Sequence, residues 1–247
     1  MAKNTSRLIT LADVKENEEI KCLINASNES LNVLGYTEHG LRHVGYVSKT
    51  TANILSTLGY DERMVELGAI AGWIHDIGNA INRKHHGLTG SVLAYDILVR
   101  MGMSACEATQ IIAAIGNHEE ETGTPVNPIS AALILADKSD AHRSRVRRET
   151  ADRKDIHDRV NLSITKNYLA IDINKKTIRL VIQMDNTSAT MEYLQIYLSR
   201  MVLSEKAAAF LGYWFELVIN GNVINRRKPV AASNVHPKAG ETEVSED

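Results

Sequence analysis

Cysteine is scarce in this chain. The two present, Cys22 and Cys106, build no disulfide framework and show no paired zinc spacing. They are expected to be reduced thiols, packed like small hydrophobes. Proline is rare as well, with four in the chain, and there are only two phenylalanines. Against many Ala, Leu and Ile, that scarcity points to helix over the first two-thirds. An excess of one charge is also lacking. A net charge of −2 implies no general attraction to polyanions or membranes, so neither nucleic acid nor a bilayer is an expected partner. No apolar run reaches the roughly 18 residues of a membrane span. The opening MAKNTSRLIT has no apolar core of the kind a secretory signal needs, so the expected compartment is the cytoplasm. What remains, 44% apolar and 23% charged, is an ordinary globular profile. The length suits one large domain, or one domain with a small appendage.

Apolar residues at helical spacing predict six helices. They cover about 11–34, 38–58, 62–77, 87–101, 104–116 and a run from Pro128. The third, apolar on nearly all sides, is expected to be the central buried helix. The pattern changes near residue 155. Val160, Leu162 and Ile164 alternate, as do Ile178, Leu180, Ile182 and Met184, with Asn174-Lys175-Lys176 as a hairpin turn between them. A helix over 188–210, with Met191, Leu194, Leu198, Met201 and Val202 inward, and a strand over 213–219 complete the chain. Trp73 and Trp214 read as core residues. The expected fold is mainly α: a helical bundle over 1–155, a small α+β unit (β-β-α-β) over 156–225, and a disordered tail over 226–247.

Histidines and acids fall at informative places on these helices. His43 precedes Val47 by one turn, on the inward stripe of its helix. His75 and Asp76 close the greasiest segment of the chain. His86 shares a face with Gly90, Leu93 and Ile97, and His118 continues the face of Ala108, Ile111 and Ile115. Asp137 ends the apolar run ISAALILAD. Singly, each has a bland reading. His43 or His118 alone would be a hydrogen-bonded core histidine, His86 a helix-start residue, and Asp137 a partner for Arg143. Jointly they suggest a metal. A buried carboxylate must be paired, protonated or bound to a cation. Mixed nitrogen and oxygen donors suit Mn, Fe, Co, Ni or Zn better than Ca. Six such ligands are enough for one ion, or for two ions about 3.5–4 Å apart.

His43, then His75-Asp76 within HDIG, then Asp137 within LADKSDAHRSR, resembles the metal-dependent phosphohydrolases of the HD-domain superfamily. The resemblance covers about residues 35–145. HGLTG at 86–90 resembles the His-x-x-x-Gly motif of branches that bind a second metal, and NHEEETGTP at 117–125 supplies a further histidine. Those branches include enzymes that cleave diadenosine polyphosphates and others that cleave cyclic dinucleotides. The latter carry His-His-Glu and Gly-Tyr-Pro. Asn117 and Gly-Thr-Pro stand there instead, which argues against cyclic di-GMP cleavage and against a third metal. The adjacent Glu-Asp of the guanosine tetraphosphate branch is absent.

The resemblance implies one divalent ion (Mn, Fe, Co, Ni, Zn or Mg) on His43, His75, Asp76 and Asp137. A second would share Asp76 and recruit His86 and His118. It implies hydrolysis of a phosphate ester or anhydride, of a nucleotide or nucleotide-derived signal, by hydroxide that the metal makes available. Asp76 is then central to catalysis, with Lys138 and Arg143, beside Lys84 and Arg145, as candidates to hold the substrate phosphate. Glu119, Glu120 and Glu121 read first as an acidic solvent loop, and otherwise as partners of His118. His39, one turn before His43, is a minor candidate. The competing readings are a metal- or nucleotide-binding sensor without turnover and a structural adaptor. A homodimer or other homo-oligomer is among the expectations, since the C-terminal unit could make a dimer interface, cover the active site or bind a ligand.

Overall fold

The structure, a computed structural model, describes residues 8–147, 151–152 and 154–225. Its first part is a helical bundle made of α1 (Leu11–Glu16), α2 (Glu18–Val33), α3 (Leu41–Thr57), α4 (Glu62–Ile74), α5 (His86–Arg100), α6 (Ala105–Gly116) and α7 (Pro128–Ser139). The expected first helix is in fact two. The Asn17 side chain accepts the Ile20 N–H and caps α2, while the Asn17 backbone has already left the helical region. The other boundaries follow equally local chemistry. Asp61 caps α4, Ser104 caps α6, and Asn127 caps α7 with Pro128 at its first position.

The most enclosed helix is α7, not α4. Ile129 through Ala136 are buried without a break. The reason is tertiary: α7 packs on α3, α4 and α6, and receives α9 of the C-terminal unit as well.

That unit holds α8 (Ile156–Ser163), β1 (Ile164–Asp172), β2 (Thr177–Met184), α9 (Thr190–Phe210), β3 (Trp214–Ile219) and β4 (Asn222–Val223). The alternation at Val160 and Leu162 is helix rather than strand, because Asp155 caps α8 and carries it to Ser163. The sheet order is β1-β2-β3-β4. β1 and β2 form the expected antiparallel hairpin; β2 and β3 run parallel, joined through α9. The added β4 follows from Asn220-Gly221, both at positive φ (48° and 82°), which suits a tight two-residue hairpin.

The expected inward stripe of α9 needs correction. Tyr193, Tyr197, Met201 and Ala208 are buried, whereas Met191, Leu198 and Val202 are exposed. The apolar stripe alone cannot say which side meets α7. Trp214 is exposed and Trp73 half-buried beneath Lys15, and both cysteines are exposed rather than packed. Core residues from Ile9 to Ile219 form one cluster across the bundle and the sheet. Among the described residues, no helix is long and apolar enough to cross a membrane. The tail expectation for 226–247 lies outside the described residues.

Candidate metal centre

Close helix packing brings the histidines together. A Cβ on Gly72 would meet the Ser48 backbone at 2.7 Å, so α3 and α4 approach there at a distance only glycine allows. A Cβ on Gly78 would meet the His86 carbonyl at 2.0 Å and Gly90 N at 2.6 Å. The glycines of HDIG and HGLTG therefore let the turn after α4 rest on the start of α5. The imidazoles follow one another in a chain. Ring centroids are 5.3 Å apart for His39–His43, 5.2 Å for His43–His75, 5.1 Å for His75–His118 and 4.9 Å for His118–His86.

All five rings are oriented alike, His39 with its Nδ1 2.6 Å from the Thr37 carbonyl. Nδ1 of His43 lies 2.7 Å from Asp140 Oδ2, and Nδ1 of His75 3.0 Å from the Gly72 carbonyl. Nδ1 of His86 lies 3.0 Å from the Arg83 carbonyl, and Nδ1 of His118 2.6 Å from that of Ile115. Each partner can only accept, so Nδ1 carries the hydrogen and Nε2 of the neutral ring is a bare lone pair. These lone pairs converge. Nε2 of His86 and Nε2 of His118 are 3.1 Å apart. Nε2 of His43 and of His75 are buried and make no hydrogen bond.

Two carboxylates sit among them. Asp76 is divided: Oδ2 is 3.6 Å from His43 Nε2 and 3.5 Å from His75 Nε2, while Oδ1 is 3.2 Å from His86 Nε2 and 3.7 Å from His118 Nε2. Asp137 Oδ1 lies 3.4 Å from His43 Nε2 and 3.8 Å from His75 Nε2. Burial pushes both carboxyls up. For Asp76 the charge of neighbouring His75 outweighs it, and for Asp137 that of Lys138 does, so both are held well below the usual range. Burial keeps the His118 imidazole low, hence neutral near pH 7. His75 is the exception. Burial opposes its charge, but Asp76 and Asp137 raise its pKa.

Facing lone pairs and ionised carboxylates in a buried space repel one another unless a cation lies between them. The donor set therefore fits a metal. Three groups of donors each lie within 4.8 Å of one another: His43, His75 and Asp76; His75, His118 and Asp137; and Asp76, His86 and His118.

The candidate phosphate holders separate. Lys138 is buried, its Nζ 2.7 Å from Asp137 Oδ2 and 3.0 Å from Glu120 Oε1. Arg143 pairs with Asp185 at 2.7 Å and reaches the Ile164 carbonyl, both in the C-terminal unit rather than in the cluster. Lys84 is exposed beside His86, and Arg145 donates to the backbone of Asp140 and Glu38. The acidic loop is not simply solvated. Glu119 is buried, accepts the Gly87 N–H and lies 3.2 Å from His86 Nδ1; Glu120 joins Lys138 to Arg200 of α9.

Sequence reading missed Asp140, Arg83 and Arg200. Only Asp140 had a local signal, one turn beyond Asp137.

Fold and site are those of a mainly α protein in which His43, His75, Asp76 and Asp137 are gathered into one buried cluster able to hold metal. No family model matches the chain. Over 155 residues it is 26% identical to an uncharacterized protein of Methanocaldococcus jannaschii; the match takes in 53% of this chain and spans 59% of the relative's length. A solved structure described as a predicted HD superfamily hydrolase, from an uncultured Thermotogales bacterium, aligns with a TM-score of 0.42 at 20% identity. That alignment covers 54% of this chain and 75% of the other.

Proposed function

We propose that the chain is a metal-dependent phosphohydrolase that cleaves a phosphate ester or anhydride bond of a small molecule, a nucleotide or nucleotide-derived compound. The observation that carries the reading is the division of Asp76, one oxygen toward His43 and His75, the other toward His86 and His118. A carboxylate so shared suits two cation positions rather than one.

His43, His75, Asp76 and Asp137 would hold the first ion; Asp76, His86 and His118 would hold the second. Bound there, divalent ions supply Lewis acidity toward phosphoryl oxygens and a water of lowered pKa. The chain's own groups do the rest. Asp140 and the Gly72, Arg83 and Ile115 carbonyls fix the imidazole tautomers and leave Nε2 free to bind. Lys138 holds Oδ2 of Asp137 and offsets part of the cluster's negative charge, so that Oδ1 faces the histidines. The buried walls of α3, α4 and α7 exclude bulk water, which strengthens every charge interaction within.

Purified protein loaded in turn with Mn, Fe, Co, Ni, Zn and Mg, and offered a panel of nucleotides and phosphate esters, tests the reading. Phosphate release that depends on metal and disappears in Asp76→Ala is the expected result. Metal binding without turnover on any substrate would favour a sensor instead.

A further inference from the structure

Arg83 is the unusual cation near the cluster. Its guanidinium lies 3.3 Å from Asn79 Oδ1, 3.4 Å from His86 Nε2 and 5.4 Å above the Tyr36 ring. Among the described residues no carboxylate pairs with it. The comparison is with Arg42, Arg63, Arg159, Arg179 and Arg200, each ion-paired at 2.5–3.1 Å. A half-buried guanidinium that makes no direct ion pair gains when an anion joins it.

Two cavities meet at this residue. One, of about 360 Å³, lies where the bundle faces the C-terminal unit, with His39, Arg83, Asn161, Tyr197 and Arg200 on its walls. The other, of about 530 Å³, runs past Arg83, Lys84 and His86 and past Glu119, Glu120 and Glu121. Tyr36 and Arg83 line both. The Nε2 lone pair of His86 cannot serve a guanidinium and a metal ion at once. With an ion held by His86, the Arg83 head group has these cavities to turn to.

Resting on the hydrolase reading above, we propose that Arg83 binds the phosphate of the substrate, and that the substrate is a phosphomonoester of an uncharged, hydroxyl-bearing molecule whose body occupies the cavity between the bundle and the C-terminal unit. Guanidinium matches phosphate by its paired, planar donors. The first cavity also carries the carboxylates of Asp152, Asp155 and Asp158, which accept hydrogen bonds from hydroxyls and repel a further phosphate. The C-terminal unit thereby sets which phosphate compound fits.

The test is calorimetric titration of inorganic phosphate into the manganese-loaded full chain, with manganese per chain measured for wild type, Arg83→Gln and Arg83→Lys. The expected result is unchanged manganese, phosphate binding weaker by at least about tenfold in Arg83→Gln, and an intermediate value in Arg83→Lys. Unchanged phosphate affinity with wild-type turnover intact overturns the role of Arg83 and leaves the hydrolase reading standing. Loss of manganese in Arg83→Gln overturns it too, because the residue would then serve the metal. Wild-type protein that binds manganese but neither binds phosphate nor hydrolyses any ester sinks both readings. Arg83 is half-buried, and the Lys variant carries the test should the Gln variant fail to fold. In competition, a nucleoside monophosphate should displace phosphate more strongly than the matching triphosphate; the reverse order overturns the substrate class.

Discussion

His43 and Asp140, 97 residues apart, meet at 2.7 Å through Nδ1 and Oδ2. The same carboxylate takes Arg42 Nη2 at 2.6 Å, and Arg145 Nε lies 3.7 Å away. Burial raises the Asp140 carboxyl, but Arg145, His43 and Arg42 more than offset it and keep it ionised. An ionised Asp140 fixes the tautomer of His43 and raises the basicity of Nε2. Asp140→Asn should therefore weaken metal binding by roughly 10–100-fold while every direct ligand stays in place. Manganese titration by calorimetry measures it. Wild-type affinity in the variant would show that Asp140 serves only the two arginines.

The division of Asp76 between two pairs of histidines predicts unequal losses. Asp76→Ala should remove all tight metal binding. His86→Ala should leave one ion per chain, held by His43, His75, Asp76 and Asp137. Metal analysis after gel filtration reads the ratio. Equal loss of both ions in His86→Ala would mean that the site does not split as Asp76 suggests.

Glu120 gives a pH dependence. Burial pushes its carboxyl up, but Lys138 and Arg200 win and lower it from 4.5 to about 2. In the unfolded chain the same group takes up its proton near its ordinary value. Between these two values the unfolded state binds more protons, so the stabilisation is complete above about pH 4.5 and is lost as pH falls toward 2. The shift corresponds to about 3 kcal/mol. Urea unfolding of metal-free protein at several pH values should show this slope, and Glu120→Gln should flatten it. An equally steep slope in the variant would assign the acid sensitivity to other carboxylates.

Gly78→Ala tests the helix approach. The added methyl would lie 2.0 Å from the His86 carbonyl and 2.6 Å from Gly90 N, both backbone atoms with little room to yield. Destabilisation of about 1–3 kcal/mol is expected, together with weaker metal binding, because α5 and its His86 must move from Asp76. A variant with wild-type melting temperature and metal content would show that the two segments can separate without cost to the site.

Much of this was legible in the primary structure because the relevant signals are local. Helical period, a capping Asn or Ser and a glycine after the last turn mark most of the bundle, and the turn at 174–176 marks the hairpin. The HDIG and HGLTG motifs place ligand-type residues at helix ends, where rings can leave the apolar stripe without breaking it. Local signals failed where two faces of one element were both apolar. On α9, Met191, Leu198 and Val202 look as suitable for a core as Tyr193, Tyr197 and Met201, and only packing against α7 chooses between them. Trp214 failed likewise: alternation along a strand says nothing of which residues at its start remain uncovered.

By itself, the sequence determined the helical class, the order of the ligand-type residues and the chemistry they suit, since residue type and spacing set these before any long-range contact forms. Tertiary structure alone decided the partners: Asp140 behind His43, Glu119 behind His86, Arg200 on Glu120, and Arg83 at the meeting of two cavities. Those pairings join residues up to 97 positions apart, and no local rule of spacing reaches that far. They exist because buried charges and lone pairs must find complements wherever the packed helices leave them.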